Sequence, residues 1–111
     1  MIAQIRPSQL KDWMNVTGGD IIVLDVREPS ELSVASIKAD GFQVLTIPMA
    51  TIPVRLNELD PARPIACLCH HGGRSMQVAA FLGARGFRQV ANITGGIHAW
   101  SDEVDNTIPR Y

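Results

Sequence analysis

Five short runs of mostly apolar residues recur along the chain, separated by polar segments that contain Pro or Gly. Short apolar runs that are rich in β-branched residues and bounded by turn formers predict strands. Residues 21–26 and 65–69 show almost no alternation of apolar and polar positions, which is typical of strands buried on both faces of a parallel sheet. The remaining runs, at residues 1–5, 41–47 and 89–93, predict three further strands.

The segments between these runs show the spacing of apolar residues that helices use. A helix is predicted to start at Pro7-Ser8, with Ser8 as its N-cap, because Leu10, Trp13 and Met14 recur at helical spacing. The other predicted helices begin at residues 28–31, cover residues 50–59 and 74–85, the latter ended by Gly86, and follow Gly95-Gly96. Residues 105–111 are predicted to be irregular.

Strands and helices thus alternate along the chain. Such alternation argues for an α/β fold in which a mostly parallel central sheet of about five strands carries helices on both faces. The chain has 111 residues, the length of one domain with its own core, and we expect a single domain over residues 1–111. Functional sites of such folds lie beyond the carboxyl ends of the strands.

Charge and composition exclude several classes of function. A formal net charge of −1 and scattered basic residues provide no electrostatic footprint for nucleic acid or an anionic membrane surface. The apolar stretches are too short for a membrane span or a signal peptide, and we expect a cytoplasmic protein. Cys67 and Cys69 lie on one predicted strand, where a local disulfide would be strained, so we expect reduced thiols.

The densest group of reactive side chains is the stretch CHHGGRS at residues 69–75. Cys69 ends a predicted strand, Arg74 opens a predicted helix, and four residues join them. The glycines let the backbone bend around a ligand, while the loop N–H groups, the helix N-terminus and Arg74 favour a negative charge. This setting predicts a thiolate nucleophile at Cys69 and an anion-binding cradle around it. The predicted cradle residues are His70, His71, Gly72, Gly73, Arg74 and Ser75.

Other roles are open for several residues of this stretch. His70 and His71 could ligate a metal, but adjacent side chains point apart and no second ligand cluster is present, so no metal or other cofactor is expected. Cys67 lies among apolar residues, which favours structural burial. Arg74 could pair with a surface carboxylate instead of binding an anion, and His98 is expected to be structural.

Several motifs, in order along nearly the whole chain, resemble those of the rhodanese-domain sulfurtransferases. CHHGGRS resembles the active-site loop of that family, and IVLDVREP at residues 22–29 resembles its early strand end. The opening IRPSQL at residues 5–10, Ile47-Pro48 and NITGGIHAW at residues 92–100 resemble its other motifs. One departure lies at residues 34–41, where the isoleucine of the family's GHIxGA segment is kept but its histidine and first glycine are not.

The resemblance implies a reaction. The Cys69 thiolate would take the sulfane sulfur from a small anionic donor such as thiosulfate, release sulfite, and pass the sulfur from a persulfide to cyanide, a thiol or a protein acceptor. Arg74 and the histidines would attract the donor, and histidine charge would make this attraction depend on pH. Asp25 and Arg27, at the end of a predicted strand, are expected to support the site as an ion pair or as a cap of loop N–H groups.

Two other functions are compatible with the pattern. A cysteine-dependent phosphatase or arsenate reductase also holds a thiolate in an amide cradle, but the phosphatases related to rhodanese have a longer loop than the four residues between Cys69 and Arg74. A non-enzymatic binding or sulfur-relay module is the second, although the presence of Cys69 favours catalysis.

Overall fold

One parallel sheet forms the centre of the protein. The computed structural model describes residues 2–111, and within them the strands are β1 (Ala3–Ile5), β2 (Ile22–Asp25), β3 (Gln43–Thr46), β4 (Ile65–Leu68) and β5 (Val90–Ile93). Their order across the sheet is β1-β5-β4-β2-β3, and every neighbouring pair is parallel. The predicted α/β fold is therefore confirmed. Of the first predicted strand, Met1 lies outside the described residues.

Helices cover both faces of this sheet. They are α1 (Leu10–Thr17), α2 (Pro29–Val34), α3 (Gly73–Ala84) and α4 (Gly96–Glu103). One face packs against Leu10, Met14 and Trp100 of α1 and α4, and the opposite face packs against Val78 and Leu82 of α3. Burial of β2, β4 and β5 on both faces explains their apolar sequences, because neither face of these strands meets water.

Two local predictions differ from the structure. The helix predicted over residues 50–59 is instead a pair of 3-10 helices, Met49–Thr51 and Pro53–Glu58, because Pro53 has no N–H with which to continue an α-helix. Ser8 is not an N-cap: it lies within the 3-10 helix Pro7–Gln9 that precedes α1, and its hydroxyl donates a hydrogen bond of 2.9 Å to Glu103.

The predicted end of α3 is confirmed. The helix ends at Ala84 with Arg85 as its C-cap, Gly86 has the positive φ of +90°, and the N–H of Phe87 donates to the carbonyl of Leu82 at 3.2 Å. No helix within residues 2–111 has the length and apolar character that crossing a membrane requires. The sheet order places the carboxyl ends of β2, β4 and β5 along one edge, where the loops that follow these strands converge.

Candidate active site

The Cys69 thiol lies in the loop between β4 and α3, at the carboxyl edge of the sheet. The backbone N–H of Gly72 donates a hydrogen bond to its Sγ, with 3.0 Å between N and S. Gly72 has a φ of +111°, and a Cβ there would stand 3.3 Å from the backbone nitrogen of Gly95, so the loop closes this tightly only with glycine. Cys69 is 1% exposed.

Further N–H groups of the same loop are unpaired. Within residues 2–111, the N–H groups of residues 70, 71 and 73–75 have no hydrogen-bond acceptor. They belong to the loop or to the first turn of α3, where the helix dipole also places partial positive charge. The loop can therefore stabilise a negative charge on or next to Cys69.

The start of α4 fixes the other side of the loop. The N–H of Ile97 donates to the carbonyl oxygen of Cys69 at 2.9 Å, and the N–H of His98 donates to that of His70 at 3.2 Å. Trp100 of the same helix is buried in the core and packs edge-on to Phe42. The start of α4 after Gly95-Gly96 thus holds the carbonyl groups of the loop in place, and the N–H groups of the loop stay free.

Arg74 is paired with a carboxylate. Its two Nη atoms donate to the two carboxylate oxygens of Glu31 at 2.6 and 2.8 Å. The Tyr111 hydroxyl donates to the same carboxylate at 2.7 Å and accepts from Arg27 at 2.9 Å. The hydrogen bonds from Arg74 lower the pKa of Glu31 well below its usual range, because they outweigh the opposing effect of burial. Glu31 is therefore charged at neutral pH.

Asp25 and Arg27 form a buried ion pair at the end of β2. An Arg27 Nη lies 2.8 Å from the Asp25 carboxylate, and the two side chains are 0% and 2% exposed. Arg27 also donates a backbone N–H to Asp25 at 3.2 Å, so the pair and the cap that the sequence predicts occur together. The same Nη also donates to the carbonyl oxygen of Ala35 at 2.9 Å. This contact, together with burial of Ile37, holds the segment that departs from the family pattern.

The histidines form an aromatic stack with Tyr111. The centroid of the His70 ring lies 3.8 Å from that of His71 and 3.9 Å from that of Tyr111. The ring centroids of His71 and His98 are 5.3 Å apart. Burial and the neighbouring His71 lower the pKa of His70, with Arg74 acting in the same direction and the Tyr111 backbone and Glu31 acting against it. The part of the chain covered by the structure contains no group of three or more His, Cys, Asp or Glu side chains arranged to hold a metal.

Ser75 of the predicted site and Cys67, which was predicted to be structural, both face the interior. The Ser75 hydroxyl is buried and donates to the Asn92 side chain at 2.6 Å, so its N–H, not its hydroxyl, is available to the loop. Cys67 is fully buried as predicted, and burial, with a smaller effect of Cys69, raises the pKa of its thiol to about 12. Both cysteines are free thiols.

Sequence reasoning missed Glu31 and Tyr111. Glu31 lies in the first turn of α2, which follows the carboxyl end of β2, so its position at the site edge of the sheet was predictable. Nothing in the sequence indicated that it pairs with Arg74. Tyr111 lies in a segment predicted to be irregular, and its return to the loop has no local sequence signal.

Comparison with known proteins yields one consistent family. Residues 6–103 match the model of the rhodanese-like domain. The chain is 32% identical over 102 residues to the putative sulfurtransferase YtwF of Bacillus subtilis, covering 93% of that protein. It is 35% identical over 82 residues to a sulfurtransferase of Allochromatium vinosum, covering 73% of it.

Another relative is much longer. The chain is 45% identical over 91 residues to the chloroplastic rhodanese-like/PpiC domain-containing protein 12 of Arabidopsis thaliana, but spans only 30% of its length. Among solved structures, a rhodanese-like domain protein from Staphylococcus aureus superposes with a TM-score of 0.76 at 28% identity, covering 99% of both chains. A rhodanese-related protein from Thermoplasma volcanium superposes with a TM-score of 0.75 at 30% identity, covering 92% of this chain and 93% of that one.

Proposed function

This chain belongs to the rhodanese-like domain family, and we propose that it is a sulfurtransferase that carries the transferred sulfur atom on Cys69. The observation that carries the proposal is the hydrogen bond from Gly72 to the Cys69 Sγ at the N-terminus of α3, with unpaired N–H groups beside it. These N–H donors stabilise negative charge on sulfur, both on Cys69 as it attacks the donor and, after reaction, on the outer sulfur. Relatives from Bacillus subtilis and Allochromatium vinosum are named sulfurtransferases.

In the first half-reaction, the Cys69 thiolate attacks the sulfane sulfur of a small donor such as thiosulfate. A new S–S bond forms to Cys69 while the donor S–S bond breaks, and sulfite leaves with the electron pair of that bond. The products are a Cys69 persulfide and sulfite, so both charge and sulfur are balanced. Because Cys69 is almost fully buried, a donor can reach its Sγ only if side chains around the loop move aside.

In the second half-reaction, a thiol, cyanide or a protein acceptor attacks the outer sulfur and restores the Cys69 thiolate. Between the two steps, the N–H groups of residues 70–75 and the α3 dipole stabilise the anionic outer sulfur. The rings of His70 and His71 stack on each other beside these N–H groups. The Asp25–Arg27 pair is linked to the loop through Tyr111, whose hydroxyl accepts from Arg27 and whose ring stacks on His70. Such a cycle gives ping-pong kinetics.

Mass spectrometry of the intact protein after thiosulfate treatment tests this proposal. We expect a gain of one sulfur atom on Cys69, thiocyanate formation when cyanide is added, and loss of both in Cys69→Ser. Cys67→Ser is the matched control, since it removes the other thiol and should keep the reaction. An unmodified Cys69 in a protein that hydrolyses p-nitrophenyl phosphate would instead identify a phosphatase.

A further inference from the structure

The ion pair between Glu31 and Arg74 has a consequence for the choice of donor. We infer that Glu31 is a specificity-determining residue that disfavours dianionic sulfur donors such as thiosulfate and favours hydropersulfides, R–S–SH, of lower charge. This inference rests on the proposed sulfurtransferase function. It concerns which donor reacts, and not whether Cys69 accepts sulfur.

The Arg74 guanidinium is largely occupied. Both of its Nη atoms donate to Glu31, one to each carboxylate oxygen, at 2.6 and 2.8 Å. Side-chain exposure is 34% for Arg74 and 18% for Glu31, so water screens the pair only partly. A donor that used Arg74 as its anion-binding group would have to displace a carboxylate held by two charge-assisted hydrogen bonds.

Glu31 is itself held against Arg74. The Tyr111 hydroxyl donates to Glu31 Oε2 at 2.7 Å, and the same hydroxyl accepts from Arg27 at 2.9 Å. The Tyr111 ring is nearly parallel to His70, at 7° and 3.9 Å between centroids. The hydroxyl of Tyr111 thus holds the Glu31 carboxylate, and its ring packs on His70 of the loop. Glu31 therefore stays beside the cradle.

The charges around the cradle therefore nearly cancel. The positive charge of Arg74 is offset by Glu31, that of Arg27 is offset by Asp25, and the lowered pKa of His70 keeps its ring neutral at neutral pH. What remains is the partial positive charge of the loop N–H groups and of the α3 N-terminus. These donors match one anionic sulfur atom, whereas the second negative charge of thiosulfate would meet an Arg74 that is already paired with Glu31.

The preferred step conserves atoms and electrons. The Cys69 thiolate attacks the outer sulfur of R–S–SH, forms a Cys69–S–SH persulfide, and breaks the donor S–S bond. The leaving group R–S⁻ takes the electron pair of that bond and carries one negative charge, whereas sulfite carries two.

Donor kinetics of Glu31→Gln test the inference. In a ping-pong cycle, kcat/KM for the donor reports the first half-reaction alone, and it can be measured for thiosulfate and for cysteine hydropersulfide with cyanide as the acceptor. We expect kcat/KM for thiosulfate to rise about fivefold or more in Glu31→Gln, and kcat/KM for the hydropersulfide to change less than about twofold. Glutamine keeps a side-chain oxygen that can accept the Glu28 N–H, which Glu31 now accepts at 3.1 Å.

Glu58→Gln is the matched control. Glu58 forms a similar two-bond pair with Arg55, at 2.8 and 2.9 Å, but lines a cavity along the edge strand β3, and none of the residues that line this cavity belongs to the loop at residues 69–75. The control removes the same charge from an ion pair outside the cradle, and the ratio of the two donor kcat/KM values should stay at the wild-type value.

Tyr111→Phe provides a second variant that alters no charge. It keeps a ring for the stack on His70 but removes the hydroxyl that holds Glu31. We expect a smaller rise in kcat/KM for thiosulfate, in the same direction as in Glu31→Gln. If Glu31→Gln does not fold, as judged by circular dichroism, Tyr111→Phe decides the question.

The outcomes separate the inference from the proposed function. The inference would be wrong if the ratio of kcat/KM for thiosulfate to kcat/KM for the hydropersulfide stayed unchanged in the folded variants. It would also be wrong if both kcat/KM values fell equally. In either case Glu31 would be only a structural partner of Arg74. Absence of sulfur on Cys69 with either donor would overturn the proposed sulfurtransferase function itself.

Discussion

Gly96 at the start of α4 packs against the backbone of His70 so closely that any side chain would overlap it. A Cβ built on Gly96 meets the carbonyl oxygen of His70, and it would lie 2.5 Å from that of Cys69. Gly96 also has a φ of +60°, which non-glycine residues rarely adopt. The backbone of the reactive loop is therefore positioned by a helix that follows another strand.

Gly96→Ala should disturb both stability and sulfur transfer. The left-handed backbone alone costs about 1–2 kcal/mol in alanine, and the overlap with two carbonyl groups adds to this cost. We expect a lower free energy of unfolding in urea and a reduced donor kcat/KM. Gly73→Ala is the control, because Gly73 has ordinary helical geometry and open space around it. Equal stability of the two variants would contradict the close approach.

Arg27→Met should be among the most destabilising single changes. The substitution leaves the carboxylate of Asp25 buried without its partner, which costs about 3–5 kcal/mol in buried ion pairs. Urea unfolding measures the loss. The exposed Arg55–Glu58 pair offers the comparison, and Arg55→Met should change stability little because water screens that pair. A small loss in Arg27→Met would show that Asp25 is reached by water.

Cys67→Ala should keep full sulfur loading on Cys69. Cys67 is buried, and burial raises the pKa of its thiol to about 12, so it is neither ionised nor accessible at neutral pH. We expect a stability loss of about 1 kcal/mol from the missing sulfur atom and an unchanged donor kcat/KM. Peptide mapping of the thiosulfate-treated wild-type protein should place sulfur on Cys69 alone. A modified Cys67 peptide would assign it a resolving role.

Stability should fall as the pH drops through the ordinary range of histidine titration. Burial and His71 lower the pKa of His70, so below its unfolded value of about 6.5 the unfolded chain binds a proton that the folded chain does not. The loss therefore begins near that pH and is complete below the folded pKa. His70→Phe, which keeps a ring in the stack, should lose less stability between pH 8 and pH 5, as measured by urea unfolding at about three pH values. Parallel pH curves for the two proteins would contradict this assignment.

Strand and helix identity followed from local chemistry where the apolar pattern was strong. The runs that became β2, β4 and β5 are buried on both faces, and such burial favours mostly apolar residues on both sides of a strand. The prediction over residues 50–59 was wrong because helical spacing does not distinguish an α-helix from 3-10 turns. Pro53 decided between them.

The sequence by itself determined the α/β architecture, the position of Cys69 at a strand end and the glycine-rich loop after it. These features are local: they depend on periodicity, on turn-forming residues and on side-chain chemistry within a few positions. Only the tertiary structure decided that Arg74 faces Glu31, 43 positions away, and that Tyr111 reaches Glu31 across 80 positions. Such contacts depend on how separate elements pack at one edge of the sheet, and no local pattern in the chain encodes that packing.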